Sequence, residues 1–166
     1  DTEKMTDVDY LIMESVYGDR NHESREERKK KLEQIIEDNF VRKGALVVPT
    51  FSLERSQELL YEINDFVENK RIPAMSVYFD SPLAIELTKV YQEYGKYFNV
   101  EAQKLIAGGD DIFKFSGLRV TADTDESKMI LQDQSPKIVI AGSGMSNGGR
   151  IIHHEKNYLP GENNTL

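Results

Sequence analysis

The sequence predicts an α/β domain with a largely parallel sheet flanked by helices, Rossmann-like in plan. Three observations lead there. Apolar runs at residues 45–48, 75–79 and 138–141 have the length of buried strands. Stretches with apolar residues at helical spacing separate them, so strands and helices alternate, the pattern of a parallel sheet covered on both faces. Each run also ends in a turn rich in Pro, Ser, Asp or Gly. Ligands of such sheets sit at the C-terminal ends of the strands.

Taken in order, Tyr10 to Met13, after Val8, form an apolar run of strand length that ends at Glu14. Ser24 and Glu27 fit a capping box, and Leu32, Ile35, Ile36 and Phe40 then follow as a helical stripe. The basic residues Arg25, Arg28, Lys29, Lys30 and Lys31 are interleaved with Glu23, Glu26, Glu27 and Glu33. That mixture reads as a solvated face in preference to a nucleic-acid patch. Gly44 is placed to end this helix. The strand at 45–48 stops at Pro49, and Ser52 is placed to cap a helix whose buried side carries Leu53, Leu59, Leu60, Ile63, Phe66 and Val67. After the strand at 75–79, Asp80 or Ser81 can cap a helix with Pro82 in its first turn. Leu83, Leu87, Val90, Tyr91 and Tyr94 form its apolar stripe. Residues 95–117 show the weakest periodicity, with a loop at 108–111. A strand is expected at 118–121 and a short helix from Thr124 to about Leu131.

The 166 residues suffice for one domain with a proper core. No apolar run approaches the roughly 18 residues of a membrane span, and the opening DTEKMTDVDY is too polar for a signal peptide. With no cysteine, disulfides and thiolate metal sites are excluded, in keeping with a cytoplasmic location. A net charge of −8 makes the chain as a whole a poor partner for nucleic acid, so such binding needs a local patch or a further domain.

The richest stretch is Lys137 to Arg150, KIVIAGSGMSNGGR. A buried strand leads into Gly142, Gly144, Gly148 and Gly149, and Ile151 opens a helix. Glycines let backbone N–H groups approach a ligand, and a helix N-terminus favours an anion. Two readings stand open: an anion cradle, or a tight turn between packed elements. A dinucleotide fingerprint lacks its distal acid here, and a P-loop lacks its lysine. Residues 144–148 match the nucleophile elbow around Ser146, but His153 and His154 lie on the next helix and do not swing back. Those two histidines point about 100° apart, so they are not spaced as a ligand pair. Among His22, His153 and His154 no complete metal site exists.

Four motifs also resemble one family. Glu14-Ser15-Val16-Tyr17-Gly18-Asp19-Arg20 with His22 resembles the ESTYGDRxH signature of β-CASP nucleases in the metallo-β-lactamase superfamily. The segment from Pro49 through Phe51, Arg55, Gln57 and Glu58 to Leu60 resembles their P-x-F-x-x-x-R-x-Q-E-L-L stretch. Asp80-Ser81-Pro82-Leu83-Ala84 resembles their DSPLA turn, and Ser143-Gly144-Met145 through Gly148-Gly149-Arg150 their S-G-M-x-x-G-G-R loop. Val16 replaces the usual threonine. The resemblance spans the chain and is nearest to bacterial and archaeal relatives of the pre-mRNA 3′-end cleavage nuclease subunit, with RNase J more distant.

The resemblance implies residues 1–13 as a remnant strand of the metallo-β-lactamase domain and 14–166 as a β-CASP domain excised from it. It implies a zinc-dependent, RNA-processing hydrolase, endonuclease or 5′-exonuclease, whose two zinc ions are held outside this chain, leaving the fragment alone metal-free and inactive. Glu14 is then catalytic through a histidine beyond the chain, which it orients. Ser143, Gly144 and Met145, with Ser81 and Ser52, face the cleft and bind single-stranded RNA together with the missing domain. A rival reading is a free-standing α/β nucleotide-binding module that uses the same glycine loop.

Overall fold

Residues 4–166 are described by a computed structural model. Four strands, β1 (Ala45–Pro49), β2 (Ser76–Asp80), β3 (Leu118–Val120) and β4 (Lys137–Ala141), form one sheet in the order β1-β4-β2-β3. Every pairing is parallel, as the alternation of elements requires. Central β4 is buried along its whole length, the mark of a strand covered on both faces. Beyond the outer edge of β1, Thr165 pairs with Leu46 in a parallel bridge.

Successive side chains of a strand point to opposite faces, and two cores result. Leu46, Val77, Phe79, Ile138 and Ile140 face α1 (Arg25–Val41), α2 (Arg55–Glu68), α3 (Pro82–Glu93) and α4 (Val100–Ala107), where Ile36, Ile63, Phe66 and Ala84 are buried. On the other face, Val47 and Ala141 pack on Ile151 of α6 (Ile151–Tyr158). Tyr78 and Val139 pack on Ile130, in the 3-10 turn that follows α5 (Thr124–Met129). The crossover helices divide between the two faces, and because all strands are parallel their C-terminal ends lie along one edge.

The expected capping box opens α1: Ser24 Oγ accepts from Glu27 N at 3.2 Å, and the Glu27 carboxylate accepts from Ser24 N at 3.0 Å. Ser24→Ala is expected to cost about 1 kcal/mol. That lowers the midpoint of thermal unfolding by about 2–4 °C for a domain of this size, which scanning calorimetry reads directly.

Several expectations are corrected. Residues 10–13 form no strand: Tyr10 is 92% and Ile12 98% exposed, and no strand of the described residues lies beside them. Apolar character sets a face but not a partner for the backbone. No strand lies in residues 4–13, and residues 1–3 lie outside the described residues. At the end of α1 the left-handed position is taken by Lys43 (φ 56°), one residue before Gly44. Gly44 is required instead by contact, since a side chain there would run into the Asn163 carbonyl.

Ser52 does not cap α2, whose N-cap position is Glu54 with no side-chain hydrogen bond, and Leu53 is exposed. The buried face of α3 is Ala84, Ile85 and Thr88, while Leu83, Val90 and Tyr94 point to solvent. Of the expected stripe Tyr91 packs on the core, but Ala84, Ile85 and Thr88 carry most of the contact. Helix α4 lies in the stretch of weakest periodicity. It buries only Ala102, too little for a stripe, and is started by the Asn99 side chain accepting from Ala102 N at 2.9 Å.

Candidate functional site at the strand ends

The strand ends bring four elements together. Ser81 follows β2 and caps α3, its Oγ accepting from Ala84 N. Ser52 lies in the turn after β1, and Gly142 follows β4. A methyl group added to Gly142 would lie 3.2 Å from Ser81 Oγ and 3.7 Å from Ser52 Oγ. Hence Ser52, Ser81 and the start of the glycine loop meet at one place, although 29 residues separate the serines.

The loop closes on itself. Ser143 N donates to Gly148 O, Ser146 N to Ser143 O and Ile151 N to Gly142 O. Ser143 Oγ donates to Asn147 Oδ1, and Met145 N donates to Ser143 Oγ. The N–H groups of Gly144, Asn147, Gly148 and Gly149 have no partner among the described residues. The loop is a self-bonded turn that keeps a set of unspent donors. Gly149 is needed for closure, having φ +74° and no room for Cβ, which would lie 2.5 Å from Gly142 O. Gly144 is needed for contact and not for a positive φ: its Cβ would lie 2.8 Å from Phe51 N. Gly148 has nothing within 4 Å. Met145 stands exposed at the tip.

Beneath the loop lies a polar cluster that the sequence does not announce as a unit. Asp80, at the end of β2, is fully buried. Its Oδ1 accepts from Arg150 Nη1 at 2.6 Å and Thr121 Oγ1 at 2.7 Å. Its Oδ2 accepts from Ser127 Oγ and His154 Nε2, both at 2.6 Å. Burial by itself pushes the Asp80 carboxyl up. The bonds from His154, Ser127, Thr121 and Arg150 outweigh it and hold the group at about 2. Arg150 further donates to the carbonyls of Thr121 and Ala122, at 3.0 and 2.9 Å. One guanidinium therefore ties the exit of the glycine loop to the ends of β2 and β3. A carboxylate only accepts, so His154 Nε2 carries the proton, and buried Nδ1 has no partner among the described residues.

A signal for this cluster exists. Arg150 and His154 stand four residues apart at the start of α6 and share one face, opposite the end of a neighbouring strand. Ser146 donates to Glu155, and His154 is committed to Asp80, so the nucleophile-elbow reading has no Ser–His pair. Glu14 is not brought to the strand ends by any contact: it lies on the exposed leading segment, its carboxylate accepting from Val16 N.

Among the described residues no group of three or more His, Asp or Glu is placed to hold a metal ion. The Asp80–His154 pair does not fit one, because Arg150 and two hydroxyls already fill the carboxylate. No helix of the described residues is long and apolar enough to cross a membrane.

The fold and this edge together define an α/β domain that presents hydroxyls and backbone donors at the ends of parallel strands, the arrangement that receives anionic ligands. The chain belongs to the Beta-Casp domain family, which matches residues 56–166. It is 36% identical over 159 residues to Ribonuclease TTHA0252 of Thermus thermophilus, covering 96% of this chain and 36% of that protein. It is 28% identical over 166 residues to Transcription termination factor FttA of Methanosarcina mazei, covering 98% of the chain and 26% of the relative. Endoribonuclease YSH1 of Candida glabrata is 29% identical over 166 residues, with coverage of 95% and 21%. The chain thus spans about a third or less of the relatives it matches.

Proposed function

We propose that this domain is the substrate-recognition part of a metal-dependent nuclease that hydrolyses phosphodiester bonds of single-stranded RNA. The observation that supports it is that Ser52 and Ser81 lie beside Gly142, at the start of a glycine loop whose Gly144, Asn147, Gly148 and Gly149 N–H groups have no partner among the described residues. Hydroxyls and N–H donors recognise phosphate without reading base identity. Relatives named ribonuclease and endoribonuclease favour this reading over a free-standing nucleotide-binding module. In keeping with the resemblance, the hydrolytic step is assigned to a metallo-β-lactamase domain outside this chain, with two zinc ions held there.

Glu14 is proposed to act across the domain border, orienting a histidine of that domain. Its exposure, with only Oε1 engaged by Val16 N, leaves Oε2 available to do so. Glu14→Gln in the full-length protein is expected to lower turnover while RNA affinity and metal content stay at wild-type values. Unchanged turnover across pH would remove Glu14 from the mechanism.

The function itself is tested by incubating the full-length protein with single-stranded RNA before and after metal is stripped by a chelator. Cleavage that stops on stripping and returns with zinc is expected. Tight nucleotide binding with intact RNA would favour the free-standing module.

A further inference from the structure

We propose that the groove between α1 and α2 is a second nucleotide subsite, which holds an unpaired nucleotide of the strand beyond the glycine loop. The proposal rests on the RNA-recognition reading above and adds a position and a chemistry to it. The groove has a volume of about 420 Å³, within the range of about 300–1,000 Å³ usual for small-ligand sites. Its floor is apolar, from Leu32, Val48 and Leu59. Its rim is cationic, with Arg25, Arg28 and Lys29 from α1 and Arg55 from α2. Phe51 stands half-exposed at one end and touches the position of Gly144, so groove and glycine loop are continuous.

The rim carries four cations against Glu58 and Glu62, a local excess of positive charge in a chain of net charge −8. That is the local patch a phosphate backbone needs here. The cations are not equivalent. Arg25 and Lys29 bind Glu62 at 2.9 Å each, and Lys29 also binds Asp65, which fixes the two helices against each other. Arg28 makes no ion pair among the described residues, and Arg55 pairs only with exposed Glu58. Arg28 and Arg55 are therefore the phosphate ligands. Phe51 is the stacking platform, since every base offers a π-face to an aromatic ring. The face that reads as merely solvated in the sequence is turned by the fold toward the strand ends.

The test uses the full-length protein and 2′-O-methyl oligouridylates, which resist cleavage, of about three and about ten nucleotides. Arg28→Ala and Arg55→Ala are each expected to weaken the longer RNA about fivefold. Each also lowers the slope of log affinity against log salt by about 0.7, the value of one lost phosphate contact on a single strand. Phe51→Leu, which keeps an apolar contact beside Gly144, is expected to weaken the longer RNA about tenfold with an unchanged slope. The shorter RNA should bind all three variants like the wild type. An unchanged slope in both arginine variants would overturn the proposal, meaning that another part of the protein covers the groove. Equal weakening of both lengths would also overturn it, because the substitutions would then be acting on the glycine loop. Failure of the underlying reading looks different: Gly149→Ala would leave both lengths bound as before.

Discussion

Asp80→Asn is expected to destabilise the domain by about 3–5 kcal/mol, the usual consequence of removing one partner from a buried ion pair. The substitution keeps size and shape, so it opens no cavity. It leaves the Arg150 guanidinium facing a neutral amide and gives His154 and two hydroxyls a poorer acceptor. Calorimetry should record a fall in melting temperature of about 6–20 °C. Replacing Arg150 by Met in the same protein should recover part of that loss, because the unpaired cation is gone. A melting temperature within about 2 °C of wild type would show that Asp80 is not the keystone of the strand ends. The same carboxylate sets an acid limit. Its pKa in the fold is depressed from the ordinary 3.8 to about 2. The stability it contributes is therefore complete above about pH 4 and lost as pH falls from about 4 to about 2. The amount at stake is about 2 kcal/mol, and Asp80→Asn should flatten that part of the pH profile.

Gly149→Ala is expected to cripple the glycine loop where Gly148→Ala does not. Alanine at 149 must hold φ +74° and place Cβ 2.5 Å from Gly142 O, against backbone that cannot retreat without opening the loop. At 148 the added methyl meets nothing within 4 Å and φ is unremarkable for alanine. The first change should reduce RNA affinity of the full-length protein by at least tenfold, since strain of this kind amounts to about 1–3 kcal/mol before lost ligand contacts are counted. The second should leave it within about twofold. Equal affinities for the two variants, both folded, would make the loop a packing turn.

The legible part of this fold was what periodicity and turn chemistry encode locally. The three longer strands, the Ser24–Glu27 box and the Ser81–Pro82 helix start are all short-range patterns, and each stands where the residues predict it. Non-local facts were harder to read. The order β1-β4-β2-β3 inserts the last strand between the first two, which nothing in the local pattern of β4 states. The Asp80 cluster joins residues 41 to 74 positions apart, and the sequence suggests it only through the i, i+4 relation of Arg150 and His154. Apolar residues at 10–13 read as a strand because pattern sees a face and not a pairing partner. The α3 stripe was right only at Tyr91, for another reason: Ala84 and Thr88 are buried beside Ile85, and small residues of that kind are invisible to a hydrophobic count. Of the candidate site residues, Ser52, Ser81, Ser143 and Gly144 lie in turns at the strand ends, as turns of one parallel sheet must. Glu14 stands apart on a segment whose described residues build no element with the sheet.

The central claim is that RNA is held at the strand ends by the glycine loop. A crystal structure of the full-length protein with an uncleavable single-stranded RNA tests it most directly. The expected result is a backbone phosphate within hydrogen-bonding distance of Ser143 or Gly144 and of Ser52 or Ser81, with the Asp80–Arg150 pair intact beneath it. RNA ordered elsewhere on the protein, with the loop bonded only to itself, would contradict the claim.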